Sequence, residues 1–318
     1  MKLRESAADA IGATPLVALN NITAGLGGRI LAKLDYLNPG GSKKDRIARQ
    51  IMADAIAAGA LKPGQPVVEL TSGNTGTGAA IVCAAQQRTF IAVMSQGNSQ
   101  ERSLMMRALG AEVILVPQAA GSAHGQVSGE DLALLEDTVR QVVSQRGAFR
   151  LDQFNHPGNI RAHELHTGPE IWDACGGNLT GFCDFVGTGG TFAGLARAFR
   201  QRNPAVRCYI VEPQQAAALS GHKVQCPAHR IQGGGYAMAE LPLLSGIVVD
   251  GFLTVSDDEA MAATASLARQ EGIFAGFSSG ANLAAAIKLL QGPERGGTIA
   301  IVICDSGLKY LSTDLWGR

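Results

Sequence analysis

Two adjacent lysines, Lys43 and Lys44, lie where a glycine-rich loop meets an apolar-periodic stretch. Residues 38–46 read NPGGSKKDR, and the following residues predict a helix over 45–58. The positive end of a helix dipole disfavours a second positive charge, so an amine held there is more readily neutral and nucleophilic. Most lysines are solvated cations at the protein surface, and taken alone these two residues favour that role over a reactive one.

A second group of residues that could take part in chemistry is the polar loop at residues 71–76, which reads TSGNTG. It follows a predicted strand and begins a predicted helix, so it offers hydroxyls, an amide and the first N–H groups of that helix. Such a set suits a carboxylate or another small anion. A helix N-cap needs only one residue of this kind, whereas the loop has four: Thr71, Ser72, Asn74 and Thr75.

A third group is a glycine-rich loop between another predicted strand and helix, formed by Gly187, Thr188, Gly189, Gly190 and Thr191. Its glycines allow close backbone approach, its threonines supply hydroxyls, and the helix start supplies a positive field. The dinucleotide fingerprint would need glycine at position 192, where the chain has phenylalanine, and the lysine of a P-loop is absent. The loop therefore predicts a cradle for a single phosphate.

Two further patterns predict no separate activity. Residues 276–280 read GFSSG and match the nucleophile elbow of hydrolases, but that order needs a histidine after the serine, and the last histidine is His229. His163 and His166 lack the spacing of a zinc-binding HExxH helix, and we expect them to be exposed helix residues. The sequence thus predicts no metal site.

Pyridoxal 5′-phosphate is the predicted cofactor. The prediction combines a candidate reactive lysine, a loop that suits an anion and a cradle for a single phosphate with the absence of a metal-binding motif. The lysine would attach the cofactor, and the glycine-rich loop would hold its phosphate.

The elements around these loops alternate between strand and helix from about residue 45 onward. This pattern predicts an α/β fold of two open, mostly parallel sheets, with a boundary near residues 148–153. A short strand pair is expected at 16–18 and 30–34, and one continuous helix at 161–175. The loops lie where strands lead into helices, the usual ligand side of such sheets.

Composition limits the class of protein. Lys and Arg number 27, as do Asp and Glu, and no basic run is present, so nucleic acid is not an expected partner. No signal peptide and no apolar run of membrane-spanning length are evident. The six cysteines form no CxxC pair. These features favour a cytoplasmic protein that acts on small molecules.

The motifs, taken in order, resemble those of the cysteine synthase and cystathionine β-synthase family, the fold-type II pyridoxal-phosphate enzymes. The family pattern GSxKDR falls on residues 41–46, which makes Lys44 the Schiff-base lysine by resemblance. The resemblance further implies substrate contacts from Thr71, Ser72, Gly73, Asn74, Thr75 and Gln153. It implies cofactor contacts from Lys44, Asn74, residues 187–191 and Ser278, whose hydroxyl would bond the pyridine nitrogen.

The resemblance also implies the architecture and the reaction. The cofactor would lie between a smaller α/β domain, residues 41–147, and a larger one, residues 1–40 and 148–318; a homodimer is expected. Lys44 would act as general base on serine or an activated serine, such as O-acetylserine or O-phosphoserine. Sulfide or a thiol would then add through an aminoacrylate, which gives cysteine or a related amino acid.

Some residues depart from the usual cysteine synthase pattern and leave the substrate open. A tyrosine at position 236 is more similar to the pattern of cystathionine β-synthases. Asn98 lies in a segment that differs from the usual cysteine synthase pattern, and residues 121–131 form a longer segment than in plain cysteine synthases. Tyr236 is therefore a candidate substrate residue. The alternatives are serine with homocysteine as substrates, a lyase such as cysteine desulfhydrase or serine dehydratase, and a non-catalytic partner protein, which the intact motifs argue against.

Overall fold

The computed structural model describes residues 3–71, 73–98, 100–120 and 129–316. Strands and helices alternate along most of this length, as the sequence predicts. The strands are β1 (Leu16–Ala18), β2 (Arg29–Lys33), β3 (Val67–Leu70), β4 (Phe90–Ser95), β5 (Glu112–Val116), β6 (Phe149–Arg150), β7 (Gly181–Phe185), β8 (Arg207–Pro213), β9 (Gly251–Val255) and β10 (Thr298–Val302). The α-helices are α1 (Lys44–Ala57), α2 (Asn74–Ala85), α3 (Gln100–Ala108), α4 (Gly129–Arg146), α5 (Gly158–Ala162), α6 (Gly168–Ala174), α7 (Gly190–Arg202), α8 (Asp257–Glu271) and α9 (Phe277–Gln291).

The chain divides into two compact units. The first comprises Met1–Ile11 and Asn38–Asn159, and the second comprises Gly12–Leu37 and Ile160–Arg318. The predicted smaller domain, residues 41–147, falls inside the first unit. Residues 1–11, 38–40 and 148–159, which the sequence analysis assigned to the larger domain, cluster with the first unit instead.

In the first unit, four described strands form a parallel sheet in the order β5-β4-β3-β6. Its core lies between this sheet and α4, where Val68, Ile91 and Val93 pack against Leu135 and Val139. The inner strand β4 reads as a nearly continuous apolar run and is buried throughout, as expected of a parallel strand covered on both faces. Because the strands are parallel, the segments after β3 and β6 leave the sheet at the same edge.

In the second unit, six described strands form a sheet in the order β1-β2-β10-β7-β8-β9. All neighbours are parallel except β1 and β2, the predicted strand pair, which run antiparallel. One core packs α8 and α9 on one face of the sheet, and another packs α6 and α7 on the opposite face. The α/β class with mostly parallel sheets is thus confirmed.

The differences from the predicted elements are local. The short strands β6 and β9 were not predicted, because β6 has two residues and the β9 sequence has little apolar periodicity. The predicted helix over 161–175 is divided into α5, a π-helical segment (His163–Thr167) and α6. A π-helical turn adds one residue to the helical repeat and often marks a functional position. No helix among the described residues is long and apolar enough to cross a membrane.

Candidate functional site

Lys44 is the first residue of α1, and its side chain is half-buried. Its backbone N–H donates to Ser42 Oγ at 3.3 Å. Lys43, the preceding residue, is buried, with 8% of its surface exposed. Neither lysine is therefore the fully solvated cation that their residue type alone would suggest.

The carboxylate of Asp45 fixes the loop that presents Lys44. Its Oδ2 accepts the Gly40 N–H at 2.5 Å, so the chain folds back onto the first turn of α1. A Cβ on Gly78, in α2, would approach the Asp45 Cα at 2.8 Å. The absence of a side chain at Gly78 therefore lets α2 pack directly against the helix start that carries Lys44.

The Thr71 side chain organises the predicted substrate loop. Its Oγ1 accepts the N–H of Gly73 at 3.0 Å and the N–H of Gly76 at 2.9 Å. Thr71 follows β3 and is buried. Since the hydroxyl only accepts in these two bonds, its own hydrogen is available to an anion at the loop.

The start of α2 supplies the remaining groups of this loop. Gly73 precedes the helix with φ at 138° and provides no side-chain cap, and half-buried Asn74 is the first helical residue. A Cβ on Gly73 would meet Arg102 Cδ at 2.6 Å, so a basic side chain lies against the loop. The dipole and this positive charge both favour an anion here. Ser72, a predicted substrate residue, lies outside the described residues.

Gln153 joins the same loop from the segment after β6. Its Oε1 accepts the Thr75 hydroxyl at 2.7 Å, and its Nε2 donates to Leu70 O at 3.2 Å and to Glu69 Oε1 at 3.3 Å. The structure thus brings the predicted residues Thr71, Thr75 and Gln153 together. It adds Glu69, which the sequence analysis did not single out because it reads as part of an apolar strand.

Glu69 is fully buried at the end of β3, and burial raises the pKa of its carboxyl from 4.5 to about 8, against the opposing effect of the Arg150 charge. A carboxyl whose pKa is raised in the folded state contributes stability, and that contribution is fully present below pH 4.5. That stabilisation is lost as the pH rises through 8.

We therefore expect the unfolding free energy of the wild type to fall relative to that of Glu69→Gln between pH 4.5 and 8. The difference should fall by up to about 1.4 kcal/mol per pH unit. Chemical denaturation of both proteins across this range measures it. Parallel pH profiles for the two proteins would contradict the expectation.

The predicted phosphate loop follows β7 and leads into α7. Gly189 has φ at 84°, and Gly190 is the first residue of the helix, without a side-chain cap. Thr188 and Thr191 are buried beside them. The first N–H groups of a 13-residue helix and two hydroxyls therefore border one small backbone cradle.

A second glycine segment packs against this cradle. A Cβ on Gly187 would approach Gly233 O at 2.8 Å, and one on Gly234 would approach Val186 O at 2.5 Å. The Gly235 N–H also donates to Val186 O at 2.9 Å. The glycine run before Tyr236 is thus explained by backbone-to-backbone packing. Tyr236 itself has 41% of its surface exposed and lines a small cavity with Gly187.

Ser278, the predicted partner of the pyridine nitrogen, is buried in the first turn of α9. Its neighbour Ser279 accepts the Cys304 N–H at 2.9 Å, just beyond β10. Ser278 has no such hydrogen bond among the described residues. A ring nitrogen of a ligand would supply this hydroxyl with a hydrogen-bond partner.

Residues 187–191 and Ser278 show whether the second unit has groups that suit pyridoxal phosphate. The glycines of residues 187–191 let neighbouring backbone and Leu244 pack closely against the loop, and the start of α7 directs N–H groups that suit a single anion. Ser278 lies at the same sheet edge, because α7 follows β7 and the Ser279 hydroxyl accepts the Cys304 N–H just beyond β10. The second unit therefore has groups that could hold a phosphate and bond a ring nitrogen, and these groups fit the cofactor.

His163 is a further residue of this site, and the prediction that it is an exposed helix residue is wrong. It is fully buried, and its Nε2 lies 3.2 Å from Thr191 Oγ1 in the phosphate loop. Its Nδ1 lies 3.0 Å from Thr167 Oγ1, within the π-helical segment. Gly194 permits this contact, since a Cβ there would meet the His163 Cβ at 2.8 Å. No local sequence pattern indicates a contact between residues on two separate helices.

Comparison with known proteins gives the same class. The model of a family described as pyridoxal-phosphate dependent enzyme matches residues 7–305. The chain is 36% identical to a cysteine synthase from Staphylococcus aureus over 308 residues, which is 96% of this chain and 95% of that protein. The protein therefore belongs to the pyridoxal-phosphate-dependent enzymes related to cysteine synthase, and pyridoxal phosphate is its cofactor.

Solved structures of similar proteins agree with this assignment. An O-ureido-L-serine synthase is similar at a TM-score of 0.88 and 36% identity, with 99% of this chain and 96% of that chain covered. An O-acetylserine-dependent cystathionine β-synthase from Helicobacter pylori is similar at a TM-score of 0.89 and 34% identity, with 99% and 100% covered.

Proposed function

We propose that this protein catalyses β-replacement on an O-substituted serine, with sulfide or a thiol as nucleophile. The observation that carries the proposal is the loop after β3. There, a threonine hydroxyl, a helix start and the nearby Arg102 favour the carboxylate of an amino acid. The similarity to a cysteine synthase, an O-ureido-L-serine synthase and an O-acetylserine-dependent cystathionine β-synthase supports the proposal.

Each group has a role in this proposal. Pyridoxal phosphate, when bound, supplies an electron-withdrawing ring that acidifies the Cα proton of the substrate and lets the β-substituent leave. The amine of Lys44 attaches the cofactor in the resting enzyme and later accepts the Cα proton as general base. Residues 187–191 hold the phosphate, Ser278 bonds the ring nitrogen, and Asn74 bonds the cofactor 3′-hydroxyl.

The substrate groups have separate roles. Thr71 and the first N–H groups of α2 hold the carboxylate, together with Ser72, Gly73 and Thr75. Gln153 keeps the Thr75 hydroxyl in place through its Oε1. Fixing the carboxylate directs the Cα proton toward the base, and closure of the loop over the substrate would exclude water from the reacting atoms. A homodimer in the cytoplasm remains our expectation for the assembled enzyme.

The direct test measures product formation. Purified protein is incubated with pyridoxal phosphate and with O-acetylserine, O-phosphoserine or serine, each with sulfide and with homocysteine. We expect a thioether or thiol amino acid as the main product. Pyruvate and ammonia as the main products would favour the lyase alternative, and no reaction with any pair would contradict catalysis.

Tyr236 is the reason to keep serine with homocysteine, or O-acetylserine with homocysteine, as a second candidate reaction. It follows the glycine run packed against the phosphate loop, and its cavity is also lined by Met238 and Leu241. A phenol beside apolar side chains suits a nucleophile with a carbon chain better than it suits sulfide.

We expect Tyr236→Phe to lower kcat/KM with homocysteine about fivefold to tenfold, the value of one hydrogen bond. The same variant should leave kcat/KM with sulfide within about twofold, since sulfide does not extend to the ring. Steady-state kinetics with both nucleophiles measure the two values. An equal effect on both would show that Tyr236 only fills space at the loop.

A further inference from the structure

The buried carboxyl of Glu69 has no part in the reaction described above. It lies at the end of β3 with none of its surface exposed. Its Oε2 accepts the Asp152 N–H at 2.7 Å, and its Oε1 accepts the Gln153 Nε2 at 3.3 Å. One side chain therefore joins the strand that leads into the substrate loop to the segment that follows β6.

These contacts determine which way the Gln153 amide points. Its Nε2 faces two acceptors, Glu69 Oε1 and Leu70 O, whereas its Oε1 faces the Thr75 hydroxyl. A rotated amide would place its oxygen against both acceptors, which is unfavourable. Glu69 and Leu70 O thus together keep the amide oxygen on Thr75, and of these two acceptors only Glu69 is a side chain.

The backbone at Asp152 is shaped for the same contact. Its φ is 52°, a left-handed conformation that residues other than glycine seldom adopt. The conformation is held by the Asn155 and His156 N–H groups, which donate to Asp152 O at 3.0 and 2.8 Å. It directs the Asp152 N–H to Glu69 and the next side chain, Gln153, to Thr75.

We propose that Glu69 is a positioning residue that holds the Gln153 amide on Thr75 and thereby shapes the site for the substrate carboxylate. The inference deepens the proposed function and rests on it. Glu69 acts only through Gln153 and Thr75, and it does not touch the substrate.

The protonation state of Glu69 gives this role a measurable signature. The charged groups that face it are Arg150, itself paired with Glu136, and Asp152. The ionised carboxylate accepts from both Asp152 and Gln153, whereas a proton on Oε1 weakens the bond to Gln153. Burial keeps the pKa near 8, so the two states exchange within an accessible pH range.

The variant Glu69→Gln separates the two bonds. The Asp152 N–H requires an acceptor, so the new carbonyl takes the position of Oε2 and the new NH₂ faces the NH₂ of Gln153. The bond to Asp152 is kept, and the bond to Gln153 is lost at every pH. Glu136→Gln is the matched control, because it removes a carboxylate from the neighbouring ion pair without a contact to Gln153.

The first measurement uses propionate, a carboxylate without an amine, as competitor of O-acetylserine. We expect its Ki for the wild type and for Glu136→Gln to fall about tenfold between pH 6.5 and 9, the effect of one hydrogen bond. At every pH in this range, the Ki for Glu69→Gln should stay near the value that the wild type has at pH 6.5. Affinity for pyridoxal phosphate should be unchanged in all three proteins. A wild-type pH profile in Glu69→Gln would overturn the inference.

The second measurement does not need turnover. At pH 9, hydrogen exchange in residues 73–77 should be faster in Glu69→Gln than in the wild type or in Glu136→Gln, with the rest of the first unit unchanged. If no O-substituted serine reacts with the wild type, the proposed function fails, and loop exchange alone decides the role of Glu69. If Glu69→Gln does not fold, Gln153→Ala removes the same bond and should give the same exchange pattern. Unchanged or uniformly faster exchange would overturn the inference.

Discussion

Lys44→Ala is expected to lower turnover by about a thousandfold or more, since a general base alone contributes up to about 10⁴-fold and the covalent attachment is lost as well. The variant should also lose the visible absorption of the cofactor-bound protein. The physical reason is the position of this amine at the first residue of α1, in a loop that the Asp45–Gly40 bond holds in place. Absorption spectra and steady-state rates measure the two effects.

Lys43→Met is the control for this variant. Lys43 is buried, so methionine keeps the packing of its aliphatic stem while it removes the amine. We expect the visible absorption to be kept and turnover to stay within about tenfold of the wild type, since nearby charge alone contributes about 1 kcal/mol. Normal turnover in Lys44→Ala, or a loss of the visible band in Lys43→Met alone, would contradict the assignment of Lys44.

Gly189→Asp is expected to weaken binding of pyridoxal phosphate by at least about 100-fold, because two or more hydrogen bonds to a charged phosphate are each worth about 1.5–3 kcal/mol. The new carboxylate lies at the start of α7, where it takes the donors of the cradle and repels the phosphate. A Cβ at this position would also approach the Leu244 Cγ at 2.8 Å. Equilibrium titration of the cofactor-free protein measures the affinity.

Gly189→Asn separates the charge from the steric effect. Asparagine has the shape of aspartate and adopts left-handed backbone as readily, so it shares the Leu244 contact and the strain at φ 84°. Its cofactor affinity should lie between those of the wild type and Gly189→Asp, and both variants should keep the wild-type circular dichroism. Equal affinity in the wild type and Gly189→Asp would place the phosphate elsewhere.

Most of the predicted site residues lie in short, contiguous motifs. Residues 41–46, 71–76 and 187–191 each join a loop to a helix start, and their polar and glycine content follows from that local geometry. The parallel α/β class was predictable for a similar reason, since apolar runs and amphipathic helices alternate in the order of the chain. The strands β6 and β9 were missed because a two-residue strand and a weakly patterned one carry no periodic signal.

The amino-acid sequence was enough to predict the class of fold and the cofactor, and it predicts the loops that would hold the cofactor, because each depends on residues close together in the chain. The tertiary structure alone revealed the contacts of Glu69 with Gln153 and of His163 with Thr191, whose members are 84 and 28 positions apart. It also explained the glycines at 233 and 234, which allow close packing against the phosphate loop. Such contacts depend on how separate elements pack, and a local pattern of residue types does not specify that packing.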